Sequence, residues 1–112
     1  ARVVREEIFG PVAPVVTFAS IEEAAELVND SEYGLSVGIL GEVGMAMELA
    51  DLVDSGKIHI NEQTVSDEPN VPFGGVKDSG NGSRFGGAAA DTEAFTEVQW
   101  LTMRPQIADY PF

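Results

Sequence analysis

The stretch that decides the fold runs from Leu35 to Asn61, LSVGILGEVGMAMELADLVDSGKIHIN. Leu35–Leu40 is a short apolar run and reads as a strand. Glu42–Asp54 then carries Met45, Leu49, Leu52 and Val53 on one helical face, and Gly56 stands where a C′ glycine belongs. Lys57–Asn61 is a second strand with Ile58 and Ile60 on the same side, as two-residue alternation requires. Strand, helix and strand joined by connections this short predict parallel pairing, the unit of an α/β layer.

Upstream, Ala13–Phe18 (APVVTF) follows the turn-like Gly10-Pro11 and predicts a further strand of the same sheet. Ser20 offers an N-cap, with Glu23 three residues on to complete a capping box. Ile21, Ala24, Ala25, Leu27 and Val28 recur at helical spacing, so Ile21–Asn29 should be an amphipathic helix that ends in Asn29-Asp30-Ser31 and Gly34. Downstream, Glu62–Asn70 is polar and without period, a loop. Val71–Gly87 holds six of the chain's 12 glycines, too many for a regular element. Ala88–Asp91 suggests a short helix, and Phe95–Met103 (FTEVQWLTM) reads as a lone late strand. A strand so far from its neighbours in sequence leaves an open edge and calls for a partner outside the chain.

Composition narrows the function. The 112 residues carry 19 Asp+Glu against 6 Lys+Arg, a net charge of -13. Such a surface repels phosphate backbones and anionic lipid, which argues against nucleic acid and membrane as partners. The sequence has no cysteine, so disulfides, thiolate metal sites and a cysteine nucleophile are excluded within it. No apolar run reaches the roughly 20 residues of a membrane helix. No leader pattern is visible, and the opening on Ala1 fits a processed or truncated product as well as a natural terminus; the lack of cysteine makes a cytoplasmic setting the expectation.

Two segments could carry chemistry. In Glu6-Glu7-Ile8-Phe9-Gly10-Pro11, a carboxylate at Glu7 can accept two hydrogen bonds from a vicinal diol such as a ribose. Phe9, two residues on, projects to the same side of an extended chain. The ordinary reading, an exposed acid beside a core aromatic, outweighs this on residue chemistry alone. In Pro72-Phe73-Gly74-Gly75-Val76-Lys77-Asp78-Ser79-Gly80-Asn81-Gly82 the glycines allow close backbone approach. Their spacing matches no phosphate-binding fingerprint, so a tight structural crossing is the better reading. His59, the only histidine, sits in a strand without a second histidine or a nucleophile and is read as structural. Glu22, Glu23 and Glu26 form a solvated helix face, and no metal site is expected.

Taken in order, Glu7-Ile8-Phe9-Gly10-Pro11, Asn29 with Tyr33-Gly34-Leu35, Gly56 with Ile60-Asn61, Pro72-Phe73-Gly74-Gly75 with Lys77 and Ser79-Gly80, and Phe95-Thr96-Glu97-Val98 resemble the aldehyde dehydrogenase superfamily. The resemblance covers about Glu6 to Met103. It implies the C-terminal part of a Rossmann-like parallel-sheet catalytic domain (residues 1–92), followed by an oligomerisation strand and tail (residues 93–112). It also implies NAD or NADP as cofactor, an aldehyde as substrate, and a homo-oligomer formed through Phe95–Met103. In that family a cysteine thiolate attacks the aldehyde, hydride passes to the nicotinamide, and a glutamate activates the water that releases the acid. The cysteine must then lie outside this sequence, and the chain alone is expected to be inactive and to self-associate.

Residue by residue, Glu7 matches the carboxylate that binds the nicotinamide ribose and Phe9 the aromatic bordering that nucleoside. Phe73 matches an aromatic beside the aldehyde access tunnel, and the Glu62–Val71 loop is expected to shape substrate choice. Where many relatives have Arg-Glu after Ser79-Gly80-Asn81-Gly82, this chain has Ser83-Arg84, so no role of that glutamate transfers. Ser83-Arg84-Phe85-Gly86-Gly87 and the Tyr110-Pro111-Phe112 tail look closer to the branch oxidising benzaldehyde, vanillin or salicylaldehyde. The alternative is a non-catalytic acidic α/β module for binding or oligomerisation.

Overall fold

The computed structural model describes residues 2–109; Ala1 and the Tyr110-Pro111-Phe112 tail lie outside the described residues. Eight elements follow one another: α1 (Arg2–Arg5), α2 (Ile21–Asn29), β1 (Tyr33–Gly34), β2 (Ser36–Ile39), α3 (Val43–Ala50), β3 (Lys57–Ile60), β4 (Val76–Lys77) and α4 (Ala88–Phe95). The chain is mixed α/β.

The centre matches the deciding stretch. β2 and β3 pair in parallel, with Ser36 opposite Lys57 and Ile39 opposite Ile60, and α3 makes the crossover. Helix α2 begins where its cap dictates. The Glu23 amide donates to Ser20 Oγ at 3.2 Å. The Glu23 carboxylate reaches one residue further back than in the usual box, accepting from the Ala19 amide at 2.7 Å. Helix α3 is capped by Glu42, whose carboxylate accepts from the Met45 amide at 3.0 Å.

The packed core is small: Ala24 and Ala25 of α2, Ile39 of β2, Ala46 of α3, and Val53. Alanines at the α2–α3 contact let the two helices approach closely. The helical face expected to be buried is buried only in part: Val53 joins the core and Leu49 is half-buried. Met45 and Leu52 are exposed while Ala46 is buried, and α3 ends at Ala50, so residues 51–54 no longer follow the helical period. Gly56 is therefore no C′ residue. A side chain there would strike the Gly74 carbonyl oxygen at 2.2 Å, so the glycine serves a backbone crossing.

Two expected strands form no ladder. Ala13–Phe18 has no regular structure, and Val15, Val16 and Phe18 are exposed. Parallel pairing is thus confined to β2 and β3, while β1 pairs antiparallel with β4. At the other end α4 runs a turn past the expected Asp91, so Phe95 closes a helix rather than opening a strand. Residues 96–103 pair with nothing among the described residues, and Val98, Trp100, Leu101 and Met103 are exposed. A β-branched or aromatic run gains its stability from cross-strand neighbours, and neither run has them among the described residues.

These two arms set the overall shape. The radius of gyration is 21.5 Å, against about 13 Å for a compact domain of this length. The accessible surface is 9466 Å², against roughly 5,900 Å² for a folded monomer of this mass. Apolar side chains of the arms, Val15, Phe18, Val98, Trp100, Leu101 and Met103 among them, contribute to this excess.

Candidate functional site

Glu7 and Phe9 follow α1, whose last turn is closed by the Glu6 amide donating to the Arg2 carbonyl at 2.8 Å. The two neighbouring carboxylates have different fates. Glu6 receives both Nε and an Nη of Arg2 at 2.8 Å, and this ion pair holds it below the usual carboxylate range while raising Arg2. Glu7 is exposed and faces an open groove of ≈720 Å³ instead. Phe9, 91% exposed, lines the same groove together with Tyr33, Leu35 and Val37.

Phe9 does not join Glu7 through the extended backbone expected of this segment. Phe9 has φ 49°, left-handed rather than extended, so two-residue alternation does not place its side chain. A turn closed by the Val12 amide on the Gly10 carbonyl at 2.8 Å redirects the chain just beyond. For a bulky aromatic this backbone region is strained, costing of the order of 1–3 kcal/mol, and such strain concentrates at ligand sites.

The glycine-rich segment is the tight crossing its composition suggests. Gly56, Gly74, Gly75 and Gly80 each stand where a Cβ would overlap a backbone oxygen at 2.3 Å or less. Lys77 closes α2: its ammonium donates to the Asn29 and Ser31 carbonyls at 3.0 and 3.1 Å. A cation at a helix C-terminus is favourably placed for the helix dipole. Ser79 Oγ accepts from the Gly34 amide at 3.1 Å.

Two asparagines that sequence reading treated only as landmarks prove to be backbone clamps. The Asn29 side-chain amide donates to the Leu52 carbonyl at 2.7 Å and its oxygen accepts from the Asp54 amide at 2.9 Å. Asn61, at φ 56°, does the same to one residue, accepting from the Gly41 amide at 2.9 Å and donating to the Gly41 carbonyl at 3.0 Å. Together they fix both ends of the α3 crossover. The signal was an asparagine at each element end, a residue able to mimic backbone on both its edges.

Phe73 is half-buried and paired with Phe85 by two main-chain hydrogen bonds of 2.7 and 2.9 Å. Facing residues of such a pair project to one side, and both rings line an open concavity with Ser79 and Asn81. Sequence reading gave Phe85 no site role. The Lys57 ammonium lies 4.6 Å from the Phe73 ring centre and forms an ion pair with Asp67 of the loop. His59 faces Gly38 across the β2–β3 ladder, and its Nε2 is buried without a hydrogen-bond partner among the described residues. The Glu7–Phe9 groove and the Phe73–Phe85 concavity share Asp78 and Ser79 in their walls, so the glycine-rich crossing separates two adjoining sites.

The family model described as "Aldehyde dehydrogenase family" matches residues 1–101. The chain belongs to the aldehyde dehydrogenase family. It is 59% identical over 108 residues to a vanillin dehydrogenase of an Amycolatopsis species, covering 96% of this chain and 22% of that protein. It is 50% identical over 111 residues to the benzaldehyde dehydrogenase [NAD(+)] of Pseudomonas putida, covering 98% and 23%. The crystal structure of a salicylaldehyde dehydrogenase from Pseudomonas putida G7 complexed with salicylaldehyde is similar at a TM-score of 0.82 and 41% identity, covering 99% of this chain and 23% of that one. The aldehyde dehydrogenase chain thus spans a little over a fifth of the length of these relatives.

Proposed function

We propose that this chain forms the C-terminal part of an NAD(P)-dependent aldehyde dehydrogenase that oxidises an aromatic aldehyde to its carboxylic acid. Residues 1–92 complete a Rossmann-like catalytic domain and residues 93–112 form an arm that pairs with another subunit, with α4 running across the junction. The reactive cysteine belongs to another part of the enzyme. The observation that carries the reading is the Glu7–Phe9 groove. One carboxylate of the Glu6-Glu7 pair is tied up by Arg2 and the other is presented beside an exposed aromatic ring.

That donor set fits a nicotinamide nucleoside. A carboxylate is the natural acceptor for a vicinal diol, and the flat Phe9 ring offers an apolar surface to a heterocycle. The cofactor supplies the hydride acceptor. Glu7 and Phe9 hold and orient, a contribution through proximity that needs no proton transfer by this chain. Phe73 and Phe85 supply a second apolar wall, toward the aldehyde. The aromatic substrate class is supported by the relatives' vanillin, benzaldehyde and salicylaldehyde specificities and by that aromatic pair. The excess apolar surface of the arms supports incorporation into a larger enzyme and an oligomer. A free-standing binding module would expose this surface to water, and that alternative is not favoured.

The test is Glu7→Ala in the intact enzyme. Two charge-assisted hydrogen bonds are lost, each worth about 1.5–3 kcal/mol, so the Michaelis constant for the dinucleotide should rise at least tenfold and hydride transfer should slow. Unchanged coenzyme affinity together with an unchanged rate overturns the assignment.

A further inference from the structure

Lys57 opens β3, and everything about its main chain is fixed. Its amide donates to the Leu35 carbonyl at 3.1 Å, its carbonyl accepts from Ser55 Oγ at 3.0 Å, and it stands opposite Ser36 in the parallel ladder. From that anchored stem the side chain runs inward and is only 15% exposed. Lysine is among the residues least often buried, because an ammonium withdrawn from water must be compensated by partners. Here there are two, from two other segments. Asp67 comes from the loop between Asn61 and Pro72, and the Phe73 ring, 4.6 Å away, comes from the start of the glycine-rich crossing.

We propose that Lys57 is a positioning residue for aldehyde recognition. The ammonium fixes the plane of the Phe73 ring and, through Asp67, pins the substrate-side loop to the parallel sheet. This rests on the reading of Phe73 as a wall of the aldehyde passage. The loop has a second tie to the same sheet, Ser36 Oγ donating to the Thr64 carbonyl at 2.7 Å. Thr64 and Asp67 are thus held by residues that face each other across one rung, Ser36 and Lys57. Phe73 is meanwhile fixed at the backbone by Phe85, so the remaining freedom is rotation of its ring. A cation against an aromatic face limits that rotation, since the attraction depends on the face being presented. The Asp67 carboxylate holds the ammonium in place. A neutral residue at 57 leaves the ring free to turn and Asp67 without a partner, which releases the loop over an aromatic aldehyde while the reacting atoms and the dinucleotide site stay where they are.

The experiment is steady-state kinetics of the intact enzyme and of its Lys57→Met, Lys57→Arg and Phe73→Ala variants, with an aromatic aldehyde and with acetaldehyde. Lys57→Met should raise KM for the aromatic aldehyde about fivefold to tenfold, within the span open to a partly desolvated cation–aromatic contact. Its kcat, its KM for the dinucleotide and its KM for acetaldehyde should stay within twofold. Lys57→Arg, which keeps both the charge and the aromatic contact, should restore KM for the aromatic aldehyde. An unchanged aromatic KM in Lys57→Met, or an equal rise for acetaldehyde, overturns the proposal. If that happens while Phe73→Ala does impair the aromatic substrate, the aldehyde-wall reading survives and only the role of Lys57 is lost. If Phe73→Ala also leaves it unaffected, both fall.

Discussion

Gly56→Ala is the substitution that most severely tests the backbone crossing. A methyl at Gly56 would lie 2.2 Å from the Gly74 carbonyl oxygen and 3.0 Å from both the Gly74 carbonyl carbon and the Gly75 Cα. Ordinary contact needs roughly 3.5 Å, so one strand of backbone must retreat by about 1 Å. Neither can do so freely. The Gly56 amide is bonded to the Gly34 carbonyl at 3.0 Å. Gly74 has no room on its own far side, where a Cβ would already meet the Ser83 carbonyl oxygen at 2.3 Å. Overpacking in a core costs about 1–3 kcal/mol, and a backbone-on-backbone clash with both partners tethered belongs at or above the top of that range. Gly41→Ala is the matched control, because nothing lies within 4 Å of a Cβ there. Thermal inactivation of the intact enzyme is the assay. Gly56→Ala should lose activity irreversibly at a temperature several degrees lower, and Gly41→Ala should follow the parent. Equal inactivation curves for Gly56→Ala and the parent would refute the reasoning.

Asn61→Ala removes two hydrogen bonds to Gly41 and should cost about 2 kcal/mol. Hydrogen exchange should show the β2–α3 turn opening faster, whereas unaltered protection of the Gly41 amide would contradict the clamp. The Glu42 carboxylate is held below its ordinary range by the amides of Gly44 and Met45. A lowered folded-state value means that its stabilisation is present above the ordinary carboxylate range and disappears as pH falls through the folded value. Denaturation midpoints of the parent and Glu42→Ala should therefore differ at neutral pH and converge on acidification; a gap independent of pH would count against the cap.

How much of this was legible in the sequence followed the range of each signal. Helix α2 carries its instructions within ten residues, the Ser20 cap and the Ala24–Ala25 stripe, and its bounds came out as read. The strands β2 and β3 were legible because Val37, Ile39, Ile58 and Ile60 alternate between short connections. Ala13–Phe18 shows the opposite case: β-branched residues state a preference for pairing without naming a partner, and none pairs with them among the described residues. The overextended reading of α3 has a related cause, since Leu52 and Val53 continue the helical period after the backbone has left it. Glu7 and Phe9 were singled out through resemblance, and the left-handed turn at Phe9 could not be read from an aromatic residue. Lys57, Asp67 and Phe73 lie in three separate segments, so only the folded chain brings them together.

The β1–β4 pairing joins Gly34 to Val76 across roughly 40 residues, a closure whose entropic cost must be met before its few contacts reward it. The neighbouring β2–β3 ladder closes a shorter circuit and brings more contacts, so it can form first and offer Gly34 and Gly56 as a seat. The glycine-rich crossing then docks late and undocks early. The segment between the Glu7–Phe9 groove and the Phe73–Phe85 concavity is thereby held by a long-range closure rather than by a local one, and should loosen before the β2–β3 ladder does.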